Sequence, residues 1–156
     1  MYRETAYKTL VRPTLEYASA AWDPHYEKDT QKLERVQRKA ARFCAGNYNP
    51  YASVTDMLQE LYWETLATRR KIARLSFMHK LSHNLTDFSV TAHLKPNYER
   101  RTRGSHDIKF LVPSSKKDVF KFSFFPRTIC EWNSLPGDIV NITSVNSFKS
   151  KLVDSF

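Results

Sequence analysis

Few residues of this chain have the types and spacing that catalysis needs. His79 and His83 lie four residues apart in a segment with helical periodicity, a spacing that could place two imidazoles beside one metal ion. No third ligand lies nearby in the sequence, so we interpret both as ordinary histidines on a helix surface. Cys44 and Cys130 are isolated and form no CxxC pair, and we expect both to be reduced, buried apolar residues.

The known phosphate-binding and hydrolytic motifs are also missing from the sequence. It contains no GxxxxGK[ST], GxGxxG, HExxH or GxSxG. No two aspartates are adjacent, so this chain alone cannot supply the paired aspartates of a two-metal polymerase centre. We therefore predict no catalytic residue, no metal and no cofactor, and no enzyme activity for this chain by itself.

The composition indicates an anionic partner. The 156 residues include 25 Lys and Arg against 16 Asp and Glu, a formal net charge of +9. Fourteen Lys and Arg against four Asp and Glu lie in residues 66–127, which therefore carry much of the positive charge. Such a balance favours nucleic acid or an anionic membrane surface. No apolar run approaches 18 residues and the first residues do not resemble a signal peptide, so we expect a nuclear or cytoplasmic protein without a membrane partner.

The clearest candidate site is the segment LERVQRKAARFCAG, residues 33–46. On a helical wheel its apolar residues share one side, namely Leu33, Val36, Ala40, Phe43 and Cys44. The opposite side carries only cations, namely Arg35, Arg38, Lys39 and Arg42. This side is either a solvated face or a surface that contacts phosphates, and we predict nucleic-acid binding.

Two further groups of cations are predicted to bind nucleic acid. Arg70 and Arg74 lie four residues apart and are neighbours on a predicted helix, whereas Arg69 can pair with an acid such as Glu64. The loop that follows the helix contains ERRTR, which is either a disordered basic segment or a clamp on a strand. Its predicted binding residues are Arg100, Arg101 and Arg103.

The elements that position these residues are predicted to be mainly α-helical. We expect residues 1–88 to be helical, with an interruption at Pro13 and a helix over about 30–45 that ends at Gly46. A further helix should begin after Ser53, which can cap it, and a long helix should follow over about 65–85. Residues 89–156 should contain the basic loop, a β-hairpin over about 107–125 and short closing helices, packed with residues 1–88 into one compact unit. We expect Trp63 and Trp132 in the core.

Five blocks follow one another along the chain. They are AYKTLVRPTLEYASAAWDPH, LERVQRKAARF, SVTDMLQELYWETLATRRKIARLSFMHKL, SFFPRTICEWNSLP and SFKSKL. In this order and spacing they resemble the thumb and C-terminal extension of a jockey-like non-LTR (LINE) retrotransposon reverse transcriptase, an RNA-directed DNA polymerase. The resemblance implies a thumb-like helical bundle that holds an RNA or DNA template–primer duplex, while a palm domain, encoded upstream in that family, performs catalysis.

Two functions are consistent with this resemblance. The chain is either a non-catalytic fragment that binds template and primer through backbone phosphates, or a protein-interaction module that docks on a polymerase palm or another partner. In the second case, apolar residues of the first helix such as Leu10, Leu15 and Trp22 would be exposed and would favour self-association.

The missing aspartate pair generates a direct prediction. The purified chain should not extend a primer on an RNA or DNA template in the presence of Mg²⁺, because nothing in the sequence supplies adjacent carboxylates for two metal ions. A primer-extension assay with a known reverse transcriptase as the positive control measures this. Template-dependent synthesis by the pure protein would contradict the prediction.

Overall fold

The computed structural model describes residues 2–87, 90, 92–98 and 106–156, and this part of the chain is mainly helical, as predicted. Its elements are α1 (Tyr2–Ala6), a π-helical turn (Tyr7–Val11), α2 (Arg12–Glu16), α3 (Ser19–Trp22), α4 (Glu27–Ala45), α5 (Val54–Glu60), α6 (Leu66–Ser82), α7 (Asp118–Lys121), α8 (Phe124–Asn133), α9 (Gly137–Val140) and α10 (Val145–Ser155). No helix in the described ranges is long and apolar enough to cross a membrane.

The chain divides into two compact units, residues 1–70 and 71–156. The division falls within α6, earlier than the boundary at residue 88 that the sequence suggested.

Pro13 explains the broken start of the chain. Proline lacks a backbone N–H, and its ring would clash with the carbonyl four residues earlier in a regular α-helix. The residues just before it widen into the π-helical turn, in which the Arg12 N–H donates to the carbonyl of Tyr7. The predicted interruption is therefore confirmed, and it takes the form of a local widening of the helix.

The first unit has a small core around two stacked aromatic rings. Tyr7 and Trp63 stack with their ring centroids 4.6 Å apart, and Ala41, Val54 and Met57 complete the buried cluster. The Tyr7 hydroxyl donates to Oε1 of Gln37 at 3.1 Å. Burial raises the pKa of Tyr7 to about 12.

The helix boundaries of the first unit follow the predicted capping residues. Gly46 ends α4 in the left-handed conformation with φ of 66°, which a residue with a side chain adopts only at a cost. Ser53 precedes α5, and its Oγ accepts from the backbone N–H of Asp56 at 3.2 Å. Both predicted helix ends are confirmed.

The second unit packs around Trp132, which is completely buried. Trp63 of the first unit is buried as well, so the prediction that both tryptophans lie in the core is confirmed. The indole Nε1 of Trp132 donates to the carbonyl of Ile108 at 2.7 Å, which satisfies the polar atom of the ring. The surrounding apolar side chains come from α6, α8, α9 and α10. They include Leu75, Met78, Ile129, Val140, Phe148 and Leu152.

The predicted β-hairpin over residues 107–125 is wrong. Within the described residues the structure contains only an isolated antiparallel bridge, between Pro96 and Phe110. The second predicted strand instead forms α7 and the start of α8. Its phenylalanines alternate in sequence, yet Phe120 and Phe124 are also four apart, and a short apolar run of this kind is compatible with either structure.

Asn133 takes the place of a hairpin partner for the extended segment around Phe110. Its side-chain amide donates to the Phe110 carbonyl at 2.7 Å and its oxygen accepts from the Phe110 N–H at 3.1 Å. On the other side of the segment, the Leu111 N–H donates to the carbonyl of Lys95. The segment is thus held on both sides without a second strand.

Two expectations about single residues are also wrong. His79 is not on a helix surface but is fully buried, and its ring stacks on that of Phe148 with the centroids 4.3 Å apart. Its Nε2 lies 2.5 Å from the carbonyl of Ile142. The two cysteines were expected to be buried, but Cys130 is exposed and Cys44 is half-buried.

The buried histidines predict a loss of stability in mild acid. Burial lowers the pKa of His79 and of His106 below the ordinary value of 6.5. The unfolded chain therefore binds protons that the folded chain does not, and the free energy of unfolding should fall as the pH drops below about 6.5, by at most about 1.4 kcal/mol per pH unit for each histidine. Urea denaturation from about pH 7.5 to about pH 5.5 measures the decline.

The substitution His79→Leu provides the control. It removes one of the two buried histidines, so the variant should lose the part of the pH dependence that His79 contributes and keep the part that His106 contributes. A variant as acid-sensitive as the wild type would show that His79 is not responsible.

Candidate nucleic-acid interface

The inward side of α4 is fixed by polar contacts with neighbouring segments of the first unit. Glu34 accepts from the backbone N–H groups of Leu66, at 3.3 Å, and Ala67, at 2.8 Å, and so satisfies the N-terminus of α6. Gln37 is buried and its amide donates to the carbonyl of Glu64 at 2.8 Å. These contacts determine how α4 is rotated about its own axis.

The opposite side of α4 faces solvent. Arg35, Arg38 and Lys39 are exposed, and none of them forms an ion pair in the part of the chain that the structure describes. Lys28 and Lys32 are also exposed, and Lys32 pairs with Asp29 at 2.7 Å. Because residues at intervals of three or four share a helix face, Lys28, Lys32, Arg35 and Lys39 form one row along α4. We call the three exposed cations Arg35, Arg38 and Lys39 the cationic face. It shares Arg35 and Lys39 with this row.

Two carboxylates lie close to the cationic face. Glu27 and Glu34 line a shallow groove on α4 together with Gln31, Arg35 and Arg38. Glu34 is already engaged by the N-terminus of α6, and Glu27 accepts from the Gln31 amide at 3.1 Å. The groove beside Arg35 and Arg38 therefore carries both positive and negative charges, whereas Lys39 is not among the residues that line it.

Arg42 differs from the other three predicted cations of α4. It is half-buried, and its guanidinium donates to the carbonyl of Asn49 at 2.7 Å and to that of Ala52 at 3.4 Å. These contacts hold the loop between α4 and α5. Arg42 therefore has a structural role, which the sequence did not indicate because the carbonyls it binds belong to a loop without a recognisable motif.

The apolar side of α4 is rotated relative to the predicted wheel. Val36 and Phe43, expected to be buried, are 38% and 45% exposed, while Gln37 and Ala41 occupy the core. The guanidinium of Arg3 lies over the Phe43 ring, 5.2 Å from its centroid, and covers part of it. The polar partners of Gln37 lie outside α4 and are not visible from the periodicity of the helix alone.

Arg70 is placed inside the first unit. It is 1% exposed, and its Nε donates to Oδ1 of Asp23 at 2.6 Å. Burial lowers the pKa of the Arg70 guanidinium, and the nearby carboxylates of Glu34 and Glu16 partly offset this effect. The preceding Arg69 pairs with Glu64 at 3.2 Å, as the sequence suggested, and also with Glu16.

Arg74 is placed inside the second unit. It is 2% exposed, and its Nη2 donates to both carboxylate oxygens of Glu131 at 2.7 Å. Burial lowers its pKa, while Glu131 acts in the opposite direction. Neither Arg70 nor Arg74 presents a guanidinium to solvent, so we do not include them in the candidate interface.

The remaining predicted binding residues, Arg100, Arg101 and Arg103, lie outside the described residues. Among those that are described, no three His, Cys, Asp or Glu side chains are grouped so that they could hold a metal ion. The candidate site therefore consists of the cationic face of α4. Comparisons of the chain with family models, curated proteins and solved structures found no match.

The buried Arg70–Asp23 pair predicts a marked destabilisation when one partner is neutralised. Asp23→Asn should lower the free energy of unfolding by about 3 to 5 kcal/mol, because it removes the carboxylate that pairs directly with the buried guanidinium charge. Combining it with Arg70→Met removes that charge and should restore most of the stability. Urea denaturation of the two variants and the wild type tests this, and equal stability of the single and double variants would refute it.

Proposed function

We propose that this protein binds nucleic acid through backbone phosphates, with the cationic face of α4 as the contact surface. The observation that carries the proposal is the exposure of Arg35, Arg38 and Lys39 on a helix whose opposite side is fixed in the first unit. Arginine and lysine side chains without internal partners are the usual sources of sequence-independent affinity for phosphates.

The geometry of α4 suits an extended polyanion. Lys28 and Lys39 mark the ends of the exposed row of cations, and at 1.5 Å per residue they are separated by about 16 Å along the helix axis. A row of this length can contact several successive phosphates of one strand. Because phosphates do not differ between bases, we expect little preference for sequence.

We further propose that the chain is a non-catalytic C-terminal part of a retrotransposon reverse transcriptase. Support comes from the five sequence blocks and from the mainly helical fold, in which the second block forms part of α4 and the third begins just before α5 and runs through most of α6. In this proposal the bound nucleic acid is the template–primer duplex. The chemistry would belong to a palm domain that this chain does not contain.

A second candidate function is docking on another protein, such as a polymerase palm. The exposed apolar side chains near the N-terminus favour it, since Leu10 is 74%, Tyr17 81% and Trp22 41% exposed. Leu15, which was expected to be exposed with them, is half-buried. Apolar docking is strengthened or little changed by salt, whereas phosphate binding weakens steeply, so salt dependence separates the two functions.

The cationic face predicts the salt dependence of binding. Replacing Arg35, Arg38 and Lys39 together with Gln should preserve the fold, because Gln is a good helix former and the three positions are exposed. The slope of log K against log salt for B-form DNA should decrease by about 0.9 for each phosphate that the variant no longer neutralises, and so by roughly 2 to 3 in all. Arg42 is left unchanged because it holds a loop.

A charge-matched variant provides the control. Lys80, Lys149 and Lys151 are exposed on α6 and α10 and can be replaced with Gln together. This variant has the same net charge as the first and should change the slope little. Equal slopes for wild type and the α4 variant, with helicity retained by circular dichroism, would assign the cationic face to solubility alone.

A further inference from the structure

Among the described residues of the second unit, two apolar pockets lie on either side of Pro113. The first, about 330 Å³ in volume, lies among the side chains of His93, Leu111, Phe120 and Phe125. The second, about 440 Å³, lies among those of Val112, Phe122, Pro126 and Cys130. Both volumes fall in the range of ligand-binding pockets, and Pro113 belongs to the walls of both.

The walls of the pockets are exposed apolar groups held in place by the fold. Leu111 is 43%, Val112 47% and Phe120 48% exposed, although each has a large apolar side chain. The segment that carries Leu111 and Val112 is fixed by its hydrogen bond to Lys95 and by the Asn133 amide. The His93 ring stacks on Phe125 with a centroid distance of 4.6 Å. Exposed apolar surface on an ordered framework is typical of an interaction site.

The charged residues around the pockets are predominantly cationic. Lys95 lines the first pocket, and Lys121 and Arg127 line the second. The carboxylate of Glu131 also lines the second pocket, but it already accepts two hydrogen bonds from Arg74 and lies 3.8 Å from Arg127. Its charge is therefore compensated within the protein, and the rim offers positive charge to a partner.

We propose that these two pockets bind an acidic peptide segment of a partner protein, with two apolar side chains of the segment as anchors. Each anchor would fill one pocket and so be removed from contact with water. Asp or Glu residues beside the anchors would face Lys95 and Lys121. Apolar anchors give affinity and complementary charges give orientation and specificity.

A nucleobase fits the first pocket less well than an apolar side chain does. Of the described residues that line the first pocket, only His93 and Lys95 carry polar side-chain atoms. A base inserted there would leave most of its hydrogen-bonding edge without partners, and burying unpaired polar atoms is costly. A second copy of this chain is also disfavoured, because each copy carries a formal net charge of +9 and the two would repel one another.

This proposal is independent of the proposed function. It concerns residues of the second unit and a protein partner, whereas phosphate binding was assigned to α4 of the first unit. The salt-slope experiment and the one that follows can therefore succeed or fail separately.

The test uses short random peptides displayed on phage and selected against the full chain. We expect the enriched peptides to combine two apolar residues with Asp or Glu. The most enriched peptide, synthesised with a fluorophore, is then titrated with the wild type and with single variants. Phe120→Ser should weaken its binding by about fivefold or more, as for a truncated anchor contact, and Lys121→Gln by about two- to threefold.

Two neighbouring substitutions serve as matched controls. Val119 is 85% exposed and adjacent to Phe120 but lines neither pocket, so Val119→Ser should leave binding unchanged. Lys149→Gln removes one exposed positive charge from α10 and should have little effect. Circular dichroism checks the fold of each variant, and Val112→Ser tests the second pocket if Phe120→Ser unfolds the chain.

Several results would overturn the proposal. One is enrichment of basic or uncharged peptides, or no enrichment at all. Another is equal weakening by the pocket and control variants. If Phe120→Ser impairs the binding of oligo(dT) while no acidic peptide binds, the occupant is single-stranded nucleic acid. If it converts a dimer to a monomer in sedimentation, the occupant is a second copy.

Discussion

A buried arginine must lie beside a carboxylate, and α6 buries two arginines. Arg70 forms an ion pair with Asp23 in the first unit, and Arg74 forms one with Glu131 in the second. Each carboxylate comes from a segment far away in the sequence, so each pair fixes where a distant part of the chain must lie within its own unit. An ion pair of this kind adds little net stability compared with apolar packing, but it is costly to break, and it therefore selects one arrangement over its competitors.

The same constraint decides which cations can serve a ligand. A guanidinium that neutralises a buried carboxylate is unavailable to a phosphate. Arg35, Arg38 and Lys39 form no such ion pair in the described part of the chain. Net charge alone therefore overstates the binding surface of this protein. The relevant quantity is the number of cations left over after the internal carboxylates have been matched.

Much of the helical fold could be predicted from local signals in the sequence, whereas the long-range contacts could not. Gly46 and Ser53 mark helix ends through contacts within a few residues, and both were identified from the sequence. The burial of Arg70, Arg74 and His79 depends on Asp23, Glu131 and the Ile142 carbonyl, which periodicity cannot reveal. The prediction of a hairpin was wrong for a related reason, because Asn133 supplies the hydrogen bonds to Phe110 that a second strand would have made. Of the candidate site, the solvent-facing cations of α4 were predictable, and the role of Arg42 in its loop was not.

The π-helical turn before Pro13 has a consequence for how the length of the chain can vary. A turn closed by hydrogen bonds to the fifth residue contains one residue more than a regular α-helical turn. The helical faces before and after it are thus already offset by one position. Deleting one residue within residues 8–11, together with replacement of Pro13, would yield a continuous α-helix in which the flanking residues, Tyr7 among them, keep their present faces. This turn is therefore a point at which the chain can lose one residue, if Pro13 is replaced as well, without repacking the core.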